Sequence, residues 1–142
     1  MTNVDIRTGI EMIEHDECLR LLASQPLGRL AMVENGRPHL VPVNFVLDGD
    51  AVVFRTDVGT KLDASSRSVV VFEVDGIDES TRSGWSVIVH GLAHEVTRLD
   101  RVDLQQRLAR LALHPWAPGE KSHVVRIVPT SITGRRVRPA HD

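Results

Sequence analysis

The sequence predicts a mainly β domain, a small antiparallel barrel of six strands with two or three short helices around it. Three observations carry that expectation. Valine is the commonest residue, and aromatic residues make up only 4% with no tyrosine, so the core must be built from stiff β-branched side chains that favour strands. Two tight-turn signals, Asn35-Gly36 and Asp48-Gly49-Asp50, separate alternating apolar runs and join three strands into a meander. The runs also carry apolar residues on both faces. A barrel fills its interior with one face and leaves the other for a helix or a second molecule, so a homodimer through the outer strand face is expected.

The elements follow in order. Residues 14–24 predict a helix with Cys18, Leu21 and Leu22 on one face and Asp16 and Glu17 in its first turn, where the helix dipole favours negative charge. Pro26 and Gly28 stop it. Strands are expected over 29–34, 38–47 and 51–56. In the second, His39, Val41, Val43, Phe45 and Leu47 share one face, and Leu40, Pro42, Asn44 and Val46 the other. A short helix over 60–66 has Thr60 at its cap. A strand over 68–74 and a polar loop over 76–84 follow, then a long strand over 85–97 in which Gly91 marks a bulge or bend. Residues 100–113 predict the best helix, with Leu104, Leu108 and Leu111 as its apolar stripe. The last strand spans 123–128, and 132–137 continue it. With no repeat, low-complexity tract or linker, residues 1–142 are expected to form one domain with its core at about 13–137.

Composition excludes several functions. The 142 residues are 42% hydrophobic and 25% charged, enough for a real core. Seventeen basic side chains against 19 acidic give a net charge of −2, with no basic excess to drive binding to nucleic acid or an anionic membrane. No run approaches the roughly 18–20 apolar residues of a membrane span, and the first nine residues carry no apolar leader, so a cytoplasmic protein is expected. One cysteine leaves no intrachain disulfide, and Cys18 on an apolar helix face predicts a buried thiol rather than a nucleophile. Of seven histidines, His90 and His94 share a strand face, but four residues of strand separate them by ~13 Å. No metal site is expected. The glycine-rich and serine-elbow motifs of nucleotide and acyl chemistry are also missing.

The residues with chemical content are Arg55-Thr56 and Thr60-Lys61. They flank a short loop between a strand end and a helix start. Arg55 can fork onto phosphate oxygens, the two threonines can donate hydroxyl hydrogen bonds, and Lys61 adds a charge beside free helix N–H groups. The alternative is an ordinary solvated turn. Gly84-Trp85-Ser86 opens a long strand, where a Trp serves a core or interface as readily as a ligand. Pro115-Trp116-Ala117-Pro118-Gly119 is a rigid loop that either closes over a flat ligand or docks on its own barrel.

Taken together, these segments resemble the pyridoxamine 5′-phosphate oxidase-like family with the FMN-binding split-barrel fold, in its short actinobacterial-type form. Gly28-Arg29-Leu30-Ala31, Pro42-Val43-Asn44-Phe45, Phe54-Arg55-Thr56, Gly59-Thr60-Lys61-Leu62, Phe72-Glu73-Val74-Asp75, Gly84-Trp85-Ser86-Val87 and Ile132-Thr133-Gly134-Arg135-Arg136 carry the resemblance in order and spacing. It implies a six-stranded split barrel and a homodimer with two equivalent flavin sites at its interface. Arg55, Thr56 and Lys61, helped by Thr60, would hold the cofactor's phosphate. Val41, Pro42, Val43 and Asn44 would lie beside the ring, with Trp85 and Ser86 of the second subunit and the Trp116 loop completing the site. The C-terminal motif whose Arg and His grip substrate in true pyridoxamine phosphate oxidases has no match here.

The expected function is therefore an oxidoreductase dependent on FMN, or on the actinobacterial deazaflavin, acting on a small conjugated or quinone-like substrate. The cofactor carries the hydride, and no side chain demands a role as acid or base. The alternative is a protein that holds flavin, haem or pyridoxal phosphate without turnover, with His39, His90, His94 and His123 as the available haem ligands.

Overall fold

The structure is a computed structural model that describes residues 3–5, 8–56, 68–96, 104, 106 and 123–139. The chain is mainly β. The strands are β1 (Asn3–Asp5), β2 (Ile10–Ile13), β3 (Leu27–Glu34), β4 (Arg37–Asp48), β5 (Ala51–Thr56), β6 (Ser68–Asp78), β7 (Ser83–Glu95) and β8 (His123–Val137), with helix α1 (His15–Ala23) between β2 and β3.

All pairings are antiparallel, in the order β1-β2-β8-β5-β4-β3-β6-β7, and β8 also pairs with β7. β8 reaches β5 with residues 123–127 and β7 with residues 125–137. The six strands β8, β5, β4, β3, β6 and β7 thus return on themselves. The expectation of six strands needs correction to eight. The six expected are the ones in this ring, and β1 and β2 extend the sheet from the C-terminal half of β8.

The turns form as local chemistry dictates. Asn35 and Gly36 both have positive φ, 51° and 75°, as a two-residue turn matched to sheet twist requires. Gly49 at φ 64° opens the second hairpin. The ladder of β7 on β8 slips at Gly91: His90 faces Ser131 and Gly91 faces Pro129, so Thr130 is the extra residue of a bulge. A Cβ on Gly91 would lie 2.5 Å from the Val128 carbonyl oxygen.

The predicted polar loop over 76–84 is instead mostly strand, with only residues 79–82 between β6 and β7. Its glycines answer packing rather than turning. Gly76 faces Trp85, and a Cβ there would sit 2.6 Å from the indole Nε1.

The interior is filled by Leu30, Phe54, Phe72, Val87, Val89 and Ile127, with Cys18, Leu21 and Leu22 of α1 closing one side. Phe45 and Phe72 meet edge to face at 4.9 Å between centroids. Gly28 lies within β3, and a Cβ there would be 2.1 Å from Cζ of Phe72. Cys18 is a buried free thiol, its pKa raised by burial and then by the Glu17 charge. A second cluster joins Val53, Val124 and Val96 to Leu104, covering the outer side of β5 and β8. Of the helix expected over 100–113, only Leu104 and Gln106 are among the described residues, and both are helical. The helix expected over 60–66 lies outside them. Among the described residues, no helix is long and apolar enough to cross a membrane.

Candidate anion site on the outer sheet face

Strand alternation decides which of the expected site residues meet. On β5, Phe54 and Thr56 are buried, while Arg55 is half-buried and turned outward beside Val124 of β8. Arg55 and Thr56 therefore occupy opposite faces of the strand. Thr60, Lys61 and Trp116 lie outside the described residues.

The ladder of β4 on β5 ends at Phe45 and Phe54, and by strand alternation Asn44 and Arg55, the residues just beyond it, share the outward face. Asn44 donates its amide N–H to the Pro26 carbonyl at 3.1 Å. Pro42 shares this outward face. Val41 and Val43 point the other way and pack against the core. The structure thus groups Pro42, Asn44 and Arg55 on one surface.

Arg55 is the electrostatic anomaly. Its Nε is buried and, among the described residues, has no hydrogen-bond partner. A permanently charged group with a desolvated, unmatched donor is costly to hold. An anionic oxygen at this point would satisfy it, and a guanidinium is well suited to receive one. The residues present therefore fit a phosphate.

The same face carries a second charged group, which no motif in the sequence marks. Arg29 sits opposite Pro42 on one side and Glu73 on the other. Its Nη1 lies 3.4 Å from a Glu73 oxygen and 3.5 Å from Asp75. Burial, then the hydrogen bond and charge of Asp75, push Glu73 up to about 7, with Arg29 pulling the other way. The alternation in Phe72-Glu73-Val74-Asp75 already places both carboxylates on one face. What it does not show is the arginine, 44 residues distant in sequence, that β3–β6 pairing supplies.

Trp85 and Ser86 also divide. Ser86 faces outward opposite Asp75 and Arg135, whereas Trp85 lies inward over Gly76. Among the described residues, no three His, Cys, Asp or Glu side chains gather in a way that could hold a metal ion.

An antiparallel sheet closed round an aliphatic core, with an arginine and an amide on its outer face, defines a small β domain. The chain belongs to the pyridoxamine 5′-phosphate oxidase family, whose sequence model matches residues 14–136. It is 38% identical over 131 residues to the uncharacterized protein Rv0080 of Mycobacterium tuberculosis, covering 88% of this chain and 84% of that one. Among solved structures it resembles the FAD binding protein from Mycobacterium smegmatis, at 40% identity and a TM-score of 0.75, over 89% of this chain and 98% of the other. A FAD-binding protein from Mesorhizobium loti aligns at 25% identity and a TM-score of 0.72, over 90% and 98% of the two chains.

Proposed function

We propose that this chain is a flavin-dependent oxidoreductase whose closed ring of strands is a flavin-binding split barrel, working as a homodimer. The observation that carries the proposal is the buried, unmatched Nε of Arg55, placed where the family resemblance puts the cofactor's phosphate. Arg55 binds that phosphate, with Thr60 and Lys61 contributing from the segment that follows and Thr56 ending β5 on its buried face. Pro42 and Asn44 line the ring from β4, with Val41 and Val43 setting the strand behind them.

The second copy docks on the outer face. Val33, Leu40 and Val69 are 71%, 69% and 73% exposed there, and Leu92 and Val128 continue the apolar strip. So much aliphatic surface on one sheet face suits burial against another molecule. Ser86 of that copy is positioned to reach the site from the same face. The flavin would supply hydride transfer, while the protein binds, orients and excludes water. FMN is the first choice and the actinobacterial deazaflavin the second. The relatives described as FAD-binding support a flavin and add the dinucleotide to the candidates. The substrate would be a small conjugated or quinone-like molecule.

Fluorescence titration with FMN, FAD and the deazaflavin tests this. One of them should bind tightly, and Arg55→Ala should weaken it by about 1.5–3 kcal/mol, the scale of a charge-assisted hydrogen bond. Equal affinity in the variant removes the assignment. Uptake of haem or pyridoxal phosphate in place of every flavin moves the protein to the non-catalytic holders.

A further inference from the structure

We propose, resting on the homodimer through the outer sheet face, that its assembly is governed by pH: the two copies join while Glu73 and Asp75 of each chain share a proton, and they separate when both carboxylates are ionised. The pair thereby passes the acidity of the solution to the interface, and with it to any cofactor site that the second copy completes.

The placement comes from alternation along β6. Val70, Phe72 and Val74 are buried in the core, so Val69, Val71, Glu73, Asp75 and Ile77 share the outer face. Exposed aliphatic residues bracket the two acids, with Val69 73% and Ile77 78% exposed. These ends stand ~26 Å apart along the strand. A second molecule seated on both of them covers the acids between. Across the sheet, the row through Val71 carries Leu40 and His90, and the adjoining row through Glu73 carries Arg29 and Ile88. The acids therefore border the aliphatic strip in both directions.

The charges here do not balance. Arg29 Nη1 lies 3.4 Å from Glu73 and 3.5 Å from Asp75, one guanidinium for two carboxylates. From β7, Ile88 stands opposite Glu73 and Ser86 opposite Asp75, and neither brings a charge. From β4, Pro42 stands opposite Arg29 and is neutral. Arg135 of β8 lies beyond Ser86 and, among the described residues, forms no ion pair with either acid. His90, one row away, is the other titratable group on this part of the face.

Glu73 and Asp75 keep 31% and 38% of their side chains exposed, so water still screens the excess negative charge. Covering the face removes that water, and an unbalanced buried charge is costly. A proton on Glu73 cancels the excess and supplies a donor to Asp75. The single chain leans the same way: burial, then the hydrogen bond and charge of Asp75, push Glu73 up to about 7 against the pull of Arg29. Association desolvates Glu73 further and raises it more. Joining therefore takes up protons, so the dimer is favoured below about pH 7 and weakens as pH rises above it.

Sedimentation of the whole chain over a dilution series, at constant ionic strength, reads the Kd at about pH 6 and about pH 8.5. Two protons per dimer set a ceiling of about a hundredfold per pH unit, and the Kd should weaken by about tenfold or more across this range. Where every dilution stays dimeric, subunit exchange between tagged and untagged chains is the reading, and it should quicken with pH. Glu73→Gln, which cannot ionise, should behave alike at both pH values. Asp75→Asn removes one cause of the raised Glu73 pKa and should move the transition to lower pH, a shift that a merely structural role would not produce. His90→Gln should keep the wild-type dependence. A flat wild-type response overturns the pH control and leaves the dimer standing. So does a dimer that tightens as pH rises, because a cation of the second copy would then be neutralising the acids, and so does full dependence retained in Glu73→Gln. A chain that is monomeric at both pH values and every concentration overturns the dimer itself, and this control with it.

Discussion

Gly28→Ala places one methyl group where the fold has no room for it. The added carbon would stand 2.1 Å from Cζ, 2.7 Å from Cε2 and 2.9 Å from Cε1 of Phe72. Phe72 is fully buried and its ring is already engaged with Phe45, so it cannot turn aside into solvent. Forcing the ring off its place costs about 1–3 kcal/mol in a packed core, and spoiling the aromatic pair adds about 0.5–1.5 kcal/mol. The stiffer unfolded chain returns about 0.4–1 kcal/mol. The net loss of roughly 2–3 kcal/mol is a large share of the roughly 5–15 kcal/mol that holds a typical domain together. Urea unfolding followed by circular dichroism should show the midpoint falling by about 1 M with the slope unchanged. Adding Phe72→Leu should restore part of the loss, and the double-mutant cycle should report a favourable coupling. A midpoint equal to wild type would refute the argument, because it would mean the strand and ring can separate without cost.

Glu73 gives a pH signature. Its folded pKa of about 7 lies above the ordinary 4.5, so the folded chain holds a proton that the unfolded chain releases. The resulting stabilisation is complete below about pH 4.5 and is lost as pH rises through 7. Wild-type stability should therefore fall relative to Glu73→Gln between pH 5 and 8 in urea titrations, whereas parallel profiles would show that Glu73 ionises normally. Leu40→Glu puts a charge in the exposed aliphatic strip, and light scattering should shift from twice 15.8 kDa to the single-chain mass; a wild-type chain that already scatters as a monomer would remove the dimer proposal.

The parts of the fold readable from sequence were those decided within a few residues. Asn35-Gly36 and Gly49 turn the chain because their backbones accept positive φ. Gly91 breaks a long strand and does sit at a bulge. The split of β4 into an inward and an outward face followed from alternation alone.

What was missed depends on distant partners. β1 and β2 are three and four residues long, too short to show a period, and β2 exists because the end of β8 pairs with it. The glycines at 76 and 84 look like a loop until Trp85 is seen lying across the first of them. The site was only partly legible. Nearness in sequence puts Arg55 and Thr56 together, while alternation along β5 turns their side chains to opposite faces. Glu73 and Asp75 could have been paired by that same rule, but Arg29 reaches them only through the sheet.

The double membership of β8 has a consequence for how the chain is made. β3 and β4, then β4 and β5, can pair as soon as they are synthesised, and β6 can join β3 soon after. The ring has no closure until residues 123–137 arrive to bridge β5 and β7. Until then both of those strands are open edges, the form in which sheets recruit the wrong neighbour. The last contacts to form also span the longest stretches of sequence, which slows folding. A nascent chain stalled before residue 123 would thus leave the ribosome as a sticky, half-wound sheet, and shielding by a chaperone would matter most over that interval.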